Sequence, residues 1–504
     1  GLSPQTPRLI AERRGRTAIV EALIAAGAKE PPPGEKFSAR RRKAPEKIDD
    51  AALIASAEKA VATLQTTASR SRESFLKHVS HQDCTSCHQQ YLPMAAVGHA
   101  RNRSVRFDEQ AAGEQIALLT SAKDLPFQDE FSAQSLFHPE PAFGFGYELM
   151  GMLAEKIPPS LATDIRIHHL AAIQAADGRW FSNLPRPPIQ SNDVGATALA
   201  IQAIKNYGWA GRKAEFLACI DRASQWLWSI QAKTNDEAVY QLLGLHWAGD
   251  TPEKLSGVSE SLLANQRADG GWAQLPSLES DAYATAQALY ALAHAAKLPP
   301  TDPAWRRGLR YLLATQEDSG AWRAARRAFP FQPTMDSGFP HGRDSWISAS
   351  ATSWAVMAIS HALPAGQASG KLAQAAQPRA TKASPALQKV NFEKQIKPLL
   401  ERSCLACHSG ERPRGLLRVD SRDALVKGGE SGMAAITPGH SEQSLLVDYI
   451  SSLDAEPEMP PTAVRARFPK LSQDEVARLR AWIDQGADWP KGLPLKSPDS
   501  GAKR

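Results

Sequence analysis

Four of the five cysteines fall in two strings of the same form, each with two cysteines three positions apart and a histidine directly after the second. The strings are Cys84-Thr-Ser-Cys87-His88 and Cys404-Leu-Ala-Cys407-His408. Thiols at this spacing can each form a thioether with one vinyl group of a haem, while the adjoining imidazole ligates the iron. The pattern predicts two covalently bound haems c, attached through Cys84 and Cys87 and through Cys404 and Cys407, with iron ligands His88 and His408.

A zinc half-site or a dithiol redox motif is the alternative interpretation of either string taken alone. Completing a four-thiolate zinc site would require the two strings to meet, because only Cys219 remains among the cysteines. Cys219 lies in Phe216–Arg222, which has the pattern of an amphipathic helix, and a free cysteine there is usually a small core residue. Two strings that each end in histidine favour haem attachment.

The elements that must position the first string form a repetitive helical region from about residue 48 to 363. Ala-rich amphipathic stretches alternate with loops that contain Gly and Trp, as in 174–180, 266–272 and 316–322. These loops resemble the Gln-Trp motif of the squalene cyclase and prenyltransferase superfamily. The resemblance implies an all-α fold in which paired helices form an α/α toroid, followed by a separate C-terminal domain. In physical terms, the Gln amide can tie a helix end to the loop, while the Trp ring packs between repeats.

The superfamily resemblance also allows a test for catalysis. Squalene-hopene-type cyclases use an Asp-x-Asp-Asp cluster as the acid, whereas the comparable positions here read Gln-Ser-Asn-Asp at 190–193 and Glu-Ser-Asp at 279–281. Zinc-dependent prenyltransferases gather Asp, Cys and His on one metal. Cys219 with Asp221 has no identified histidine partner, so we expect a toroid without catalytic residues and regard enzymatic activity as doubtful.

The C-terminal region, residues 389–491, resembles a planctomycete-type cytochrome c domain. The resemblance rests on the second Cys-x-x-Cys-His string and on the runs 415–421, 438–439, 444–446, 459–461 and 482–487. It implies that His408 is the proximal ligand and that Met459, in the Met-Pro-Pro run, is the distal thioether. Met433 and His440 are weaker alternatives, because neither is followed by two prolines as Met459 is. Met/His ligation suits electron transfer.

For the first haem, no motif names a distal ligand. His341 and His138 are the leading candidates because both lie in loops that can present an imidazole from a distance. His78 and His81 could reach back over the string, whereas Met94 and His99 follow it too closely along a helix. A five-coordinate iron is the remaining possibility.

The rest of the chain divides into connectors and a short opening segment. Residues 1–30 resemble the end of an ankyrin repeat, although they are shorter than one repeat. Residues 31–47 and 364–388 are expected to be linkers, and 492–504 a tail. The chain starts at Gly1, has no signal peptide and contains no run of about 18 apolar residues, so we expect a processed or truncated chain without a transmembrane helix.

These observations predict a di-haem c-type cytochrome that passes single electrons between redox protein partners in the periplasm or another extracytoplasmic location. A larger membrane-associated or respiratory complex is one such partner. One alternative is a haem enzyme with an open iron position at Cys84–His88 that acts on peroxide or a small molecule. Another is a haem-bearing interaction or scaffold subunit. The formal charge of +6 is only weak evidence for a nucleic-acid partner, because haem propionates would offset part of it.

Overall fold

The protein is described here by a computed structural model. It describes residues 7–13, 17–29, 48–76, 85–120, 140–328, 337–366, 390–411, 413–430, 434–441, 444–451, 459–461, 464–465, 467–490 and 492–496. The described residues up to 366 belong to one compact unit, and those from 390 onward belong to a second. Each unit has its own apolar core.

Helices dominate the first unit, as the sequence predicts. They are α1 (Pro7–Arg13), α2 (Thr17–Ala25), α3 (Asp50–Leu76), α4 (Leu92–Ala100), α5 (Glu109–Thr120), α6 (Pro141–Ala154), α7 (Leu161–Ala172), α8 (Asp193–Tyr207), α9 (Lys213–Ser229), α10 (Asn235–Ala248), α11 (Ser256–Ala264), α12 (Ala282–His294), α13 (Pro303–Thr315) and α14 (Ser345–Ala362).

The even-numbered helices from α4 to α14 form a closed inner ring. Each packs against the next in the order α4, α6, α8, α10, α12 and α14, and α14 packs back against α4. The odd-numbered helices from α3 to α13 lie outside this ring against the inner ones. The inner helices are rich in small residues, so their backbones can approach closely; the residues of α14 from Ile347 to Ser360 are all buried. The architecture is an all-α double ring, or α/α toroid.

Each Gln-Trp loop makes the same set of hydrogen bonds. The side-chain amide of Gln316 donates to the carbonyl of Gly320 within its own loop and to the carbonyl of Ser56 in α3. The Trp322 indole donates to Leu312 O at the end of the preceding helix. The other two loops repeat this arrangement, with Gln174 bonded to Cys219 O and Gln266 bonded to Ala304 O.

The contact between Gln316 and Ser56 joins α13 to α3, the last outer helix to the first. The structure shows why the motif needs glycine before the tryptophan. At Gly320, φ is +87°, and an added Cβ would collide with Lys59 O. Only glycine fits a left-handed position pressed this closely against a neighbouring helix. The motif therefore closes the double ring.

The second unit contains α15 (Lys397–Ser403), α16 (Arg422–Lys427), α17 (Leu445–Ser451) and α18 (Gln473–Asp484). Its core surrounds Trp482, whose ring stacks near Phe392 at a centroid distance of 5.5 Å. The expected capping box is present at α18, where Ser472 Oγ accepts from Glu475 N and the Glu475 carboxylate accepts from Ser472 N.

Candidate haem sites

In the C-terminal unit, α15 ends where the second Cys-x-x-Cys-His string begins. The amides of Cys407 and His408 both donate to Cys404 O, at 3.2 and 3.1 Å, which folds the string into a tight turn. The ring of His408 is held by a 3.0 Å hydrogen bond between Nδ1 and Arg414 O. Donation from Nδ1 leaves the lone pair on Nε2, the geometry of a metal-ligating imidazole fixed by its surroundings.

The surroundings of this string are apolar. Cys404 packs against a cluster that includes Leu400, Leu405 and Val419. Burial raises the pKa of the Cys404 thiol to about 12 and lowers the pKa of the His408 imidazole, so both groups are neutral at pH 7. An apolar wall next to two thiols and a neutral imidazole fits a covalently attached haem.

Met459 is the described thioether that packs against the same apolar cluster. Its amide donates to Tyr449 O at 2.9 Å, and Arg465 Nε donates to Pro460 O at 3.0 Å, which anchors the Met-Pro-Pro run. Of the two weaker candidates, Met433 lies outside the described residues, and His440 lies in a turn after Gly439. Met459 as distal ligand remains a prediction supported by this packing.

The first string lies at the end of the toroid where the inner helices begin. Cys87–Tyr91 form one turn of π-helix that runs directly into α4. Ser86 caps this turn, since its Oγ accepts from Gln89 N at 3.1 Å, and Gln89 Nε2 in turn bonds Ser337 Oγ at 2.9 Å. Cys84 lies outside the described residues. The turn holds His88 at the N-terminal mouth of the inner ring.

His88 packs edge-on against Trp346 in the first turn of α14, with ring centroids 5.3 Å apart. Burial, together with the charge of the Arg186 guanidinium, lowers the pKa of His88 to about 3. Burial also raises the pKa of the Cys87 thiol to about 11, which Arg186 opposes. A neutral, partly buried imidazole that follows a partly buried thiol has the donor chemistry that haem attachment requires.

Arg186 belongs to a segment, Arg186–Ser191, that we call the strap. Three of its carbonyls accept hydrogen bonds from the toroid: Pro187 O from Arg327 N, Pro188 O from Tyr283 OH, and Ile189 O from Tyr147 OH. The strap thereby crosses the N-terminal ends of the inner helices, and the charge of its Arg186 acts on the pKa values of Cys87 and His88. Sequence reasoning missed Arg186, because nothing in the run Pro-Arg-Pro-Pro signals a position at this mouth.

The structure describes three of the residues considered as distal ligands of the first haem. His341 has φ of +85°, and its Nε2 lies 3.0 Å from Glu317 Oε2. Met94 packs against Gly151 of α6, and His99 lies in the last turn of α4, about 16 Å along the helix axis from His88. His138, His78 and His81 lie outside the described residues. The distal ligand remains a prediction.

At the opposite mouth, four inner helices end in histidines that pack together. We call His99, His246, His294 and His361 the histidine cluster. His294 lies 5.3 Å from His246 and 5.5 Å from His361, and His361 lies 5.7 Å from His99, measured between ring centroids. Tyr290 stacks on His294 at 5.1 Å. The sequence signal is a histidine near the end of four of the six inner helices, α4, α10, α12 and α14.

Cys219 behaves as a core residue. Its side chain is buried in α9, its carbonyl accepts from Gln174, and Arg222 Nη2 lies 3.5 Å from Sγ. Within the part of the chain that the structure describes, no three His, Cys, Asp or Glu side chains are arranged to hold a metal ion. The described arrangement thus contains no prenyltransferase-type zinc site at Cys219.

None of the helices in the described ranges is both long and apolar enough to cross a membrane.

Comparison with known proteins gives results for each unit. Two solved structures match the toroid: a glycosidase variant in complex with glucose (11% identity, TM-score 0.37, 60% of this chain and 98% of that one) and a possible GH105 family member from Klebsiella pneumoniae subsp. pneumoniae MGH 78578 (11% identity, TM-score 0.28, 66% and 98%). Neither supports kinship with squalene cyclases, which stays a prediction. The chain matches no curated protein. Residues 404–463 of the C-terminal unit match the family described as planctomycete cytochrome C, which supports a c-type cytochrome domain there.

Proposed function

We propose that the protein is a di-haem c-type cytochrome that transfers single electrons between extracytoplasmic redox partners. The observation that carries the proposal is the pair of Cys-x-x-Cys-His strings, one within the cytochrome domain and one set into the toroid. Haem bound at either string supplies reversible one-electron chemistry at iron. Because c-type cytochromes commonly function outside the cytoplasm, an extracytoplasmic location is part of the proposal.

At the second string, the chain's own residues have three tasks. Cys404 and Cys407 supply the thiols, the Arg414 carbonyl orients His408, and Met459 presents a thioether from the anchored Met-Pro-Pro run. At the first string, Trp346 holds the His88 ring in place, and Arg186 supplies a positive charge that suits an anionic propionate.

Intact-mass spectrometry and redox titration test this proposal. The full chain is expected to carry the mass of two haems, and a double Ala variant of Cys84 and Cys87, or of Cys404 and Cys407, is expected to lose one. Spectroelectrochemical titration should give two reversible one-electron waves. The di-haem proposal is refuted if the full chain carries the mass of a single haem. It is also refuted if the titration gives a single wave and that wave is lost when Cys404 and Cys407 are replaced.

A second candidate function is small-molecule or peroxide chemistry at an open position of the first haem. It is motivated by two placements: His341 Nε2 lies 3.0 Å from Glu317 Oε2, and His99 lies at the far mouth. Carbon monoxide added to the reduced protein should then change the spectrum of the first haem only. Met459→Ala provides the matched control, because it should create the same response at the second haem. No response in the unaltered protein would eliminate this candidate.

A further inference from the structure

Ser86 stands between the two cysteines of the first string, and the turn that follows it bonds its amide, its hydroxyl and its carbonyl. The amide donates to Gln90 Oε1 at 2.7 Å, and the hydroxyl oxygen accepts from Gln89 N at 3.1 Å. The carbonyl accepts from Gln90 N and Tyr91 N, at 3.0 and 3.2 Å. Ser86 is buried, so these bonds rather than water satisfy its backbone.

Gln90 is the residue of this turn whose side chain reaches back into the string. The side chain is completely buried, and its Nε2 has no hydrogen-bond partner in the described part of the chain. Buried amide side chains usually pair both their oxygen and their nitrogen. What the Gln90 side chain contributes to the turn is therefore a single acceptor, placed against the Ser86 amide.

The His88 ring depends on the backbone of this turn for its position. An imidazole that ligates a metal usually donates from its second ring nitrogen to a fixed acceptor, as His408 can through Arg414 O. The described residues give the His88 ring no hydrogen bond of this kind, and its contact with Trp346 is an edge-on ring contact. The turn must therefore supply much of the constraint that a hydrogen bond supplies at His408.

The second string is held in a different way. Leu405 and Ala406 stand between its cysteines, and Gly410 occupies the position that corresponds to Gln90. Backbone bonds to Cys404 O fold that string, and no side chain at the position of Gln90 can take part. The side-chain bond to the string is thus a feature of the toroid and not of the Cys-x-x-Cys-His pattern itself.

We propose that Gln90 is a positioning residue for His88, the iron ligand of the first haem. Its amide oxygen holds the Ser86 backbone, and the turn that Ser86 caps carries His88. This inference rests on the proposed di-haem function. Removal of the acceptor leaves a buried N–H unpaired, which shifts the equilibrium from this turn to other conformations by a factor of about 5 to 150.

Electron paramagnetic resonance of the oxidised full chain tests the proposal, because it records the ligand environment of each ferric iron. The double Ala variant of Cys84 and Cys87 lacks the first haem and so identifies its signal. In Gln90→Leu, which has no acceptor for Ser86 N, the share of first-haem iron with an altered or lost His88 ligand should rise about 5- to 150-fold. The signal of the second haem should not change.

Two further variants separate positioning from a general loss of stability. Gln90→Glu keeps an oxygen acceptor for Ser86 N and gives up only the unpartnered Nε2, so it should retain the signal of the unaltered chain. Gln202→Leu is the matched control, because Gln202 is also a buried glutamine of an inner helix, α8, and should leave the signal unchanged. If Gln90→Leu does not fold, Gln90→Asn replaces it, since its shorter side chain does not reach Ser86 N.

The outcomes separate the inference from the function on which it rests. The role of Gln90 is overturned if Gln90→Leu leaves the first-haem signal unchanged, or if Gln90→Glu alters that signal as much as Gln90→Leu does. An equal change in Gln202→Leu also overturns it, because the effect would then be a general one. Intact mass distinguishes these results from failure of the proposed function: a full chain that carries one haem refutes the di-haem function itself.

Discussion

Lowering the pH from 7 to 5.5 should weaken the toroid through the histidine cluster at its C-terminal mouth. Burial, with a smaller effect of Arg103, lowers the pKa of His99 to about 4. Burial together with repulsion from neighbouring histidines lowers the pKa of His361 to about 3 and of His294 to about 2. In the unfolded chain the same imidazoles titrate near 6.5. The folded state therefore binds fewer protons than the unfolded state below about pH 6.5, so the free energy of unfolding falls as the pH decreases.

The size of the effect follows from the unfolded state. At pH 5.5 a free imidazole is about nine-tenths protonated, whereas these three remain neutral in the fold. Between pH 7 and 5.5 each then contributes a loss of about 1.3 kcal/mol in the free energy of unfolding, or about 4 kcal/mol together. The rings are only partly enclosed, so solvent screening reduces the sum to about 2–4 kcal/mol.

Urea unfolding of the full chain, followed by far-ultraviolet circular dichroism, measures this loss. Carboxyl groups also titrate over the range, and the raised pKa of Asp236 acts in the opposite direction. To isolate the cluster, the change in the free energy of unfolding between pH 7 and 5.5 is measured in His294→Gln and in the unaltered chain, and the two changes are compared. The variant should lose about 1 kcal/mol less on acidification.

His168→Gln is the matched control, because His168 lies on the exposed side of the outer helix α7. It should show the same acid sensitivity as the unaltered chain. The reasoning is refuted if His294→Gln and the unaltered chain lose equal stability between pH 7 and 5.5, or if acidification stabilises the toroid.

Three further changes test the structure by the same unfolding measurement. Gly320→Ala should destabilise the toroid by about 2–3 kcal/mol, because its Cβ would collide with Lys59 O at a left-handed backbone position. The control Gly113→Ala in α5 should be neutral or slightly stabilising, because a Cβ there meets nothing within 4 Å. Gln316→Leu should cost about 2–4 kcal/mol, since it leaves two carbonyls without their donor; a cost below 0.5 kcal/mol would contradict the ring-closing role. Ser472→Ala should cost the cytochrome unit about 1 kcal/mol through loss of the capping box, and an unchanged midpoint of the C-terminal transition would contradict it.

The helices and their repeat were predictable because the signals are local. Each Gln-Trp loop needs a left-handed glycine, and each Ala-rich stretch has the period of a buried helix, so loops such as 316–322 are recognisable from their own residues. The same holds for Ser472 and Glu475, three positions apart in a capping box. Local geometry dictates these residues wherever the motif occurs.

The histidine cluster and the strap were not predictable for the opposite reason. His99 and His361 meet only because the inner ring closes between α14 and α4, more than 250 residues apart in sequence. The charge of Arg186 likewise acts on Cys87 only because the strap is bonded across the inner helices. Such contacts depend on long-range packing, and a single sequence holds no periodic signal for them.

The interior of the toroid is packed with aromatic side chains. Along its axis, Tyr147 and Tyr240 share a 2.7 Å hydroxyl–hydroxyl hydrogen bond, the Tyr240 ring lies 6.4 Å from that of Trp354, and Trp354 lies 5.3 Å from Tyr290. These side chains are buried and pack against one another between the inner helices. His88 lies at the N-terminal mouth of the ring, and the imidazoles of the histidine cluster lie at the other. The packed aromatic side chains lie between these two mouths, so a substitution at Tyr240 or Trp354 changes the interior that separates them.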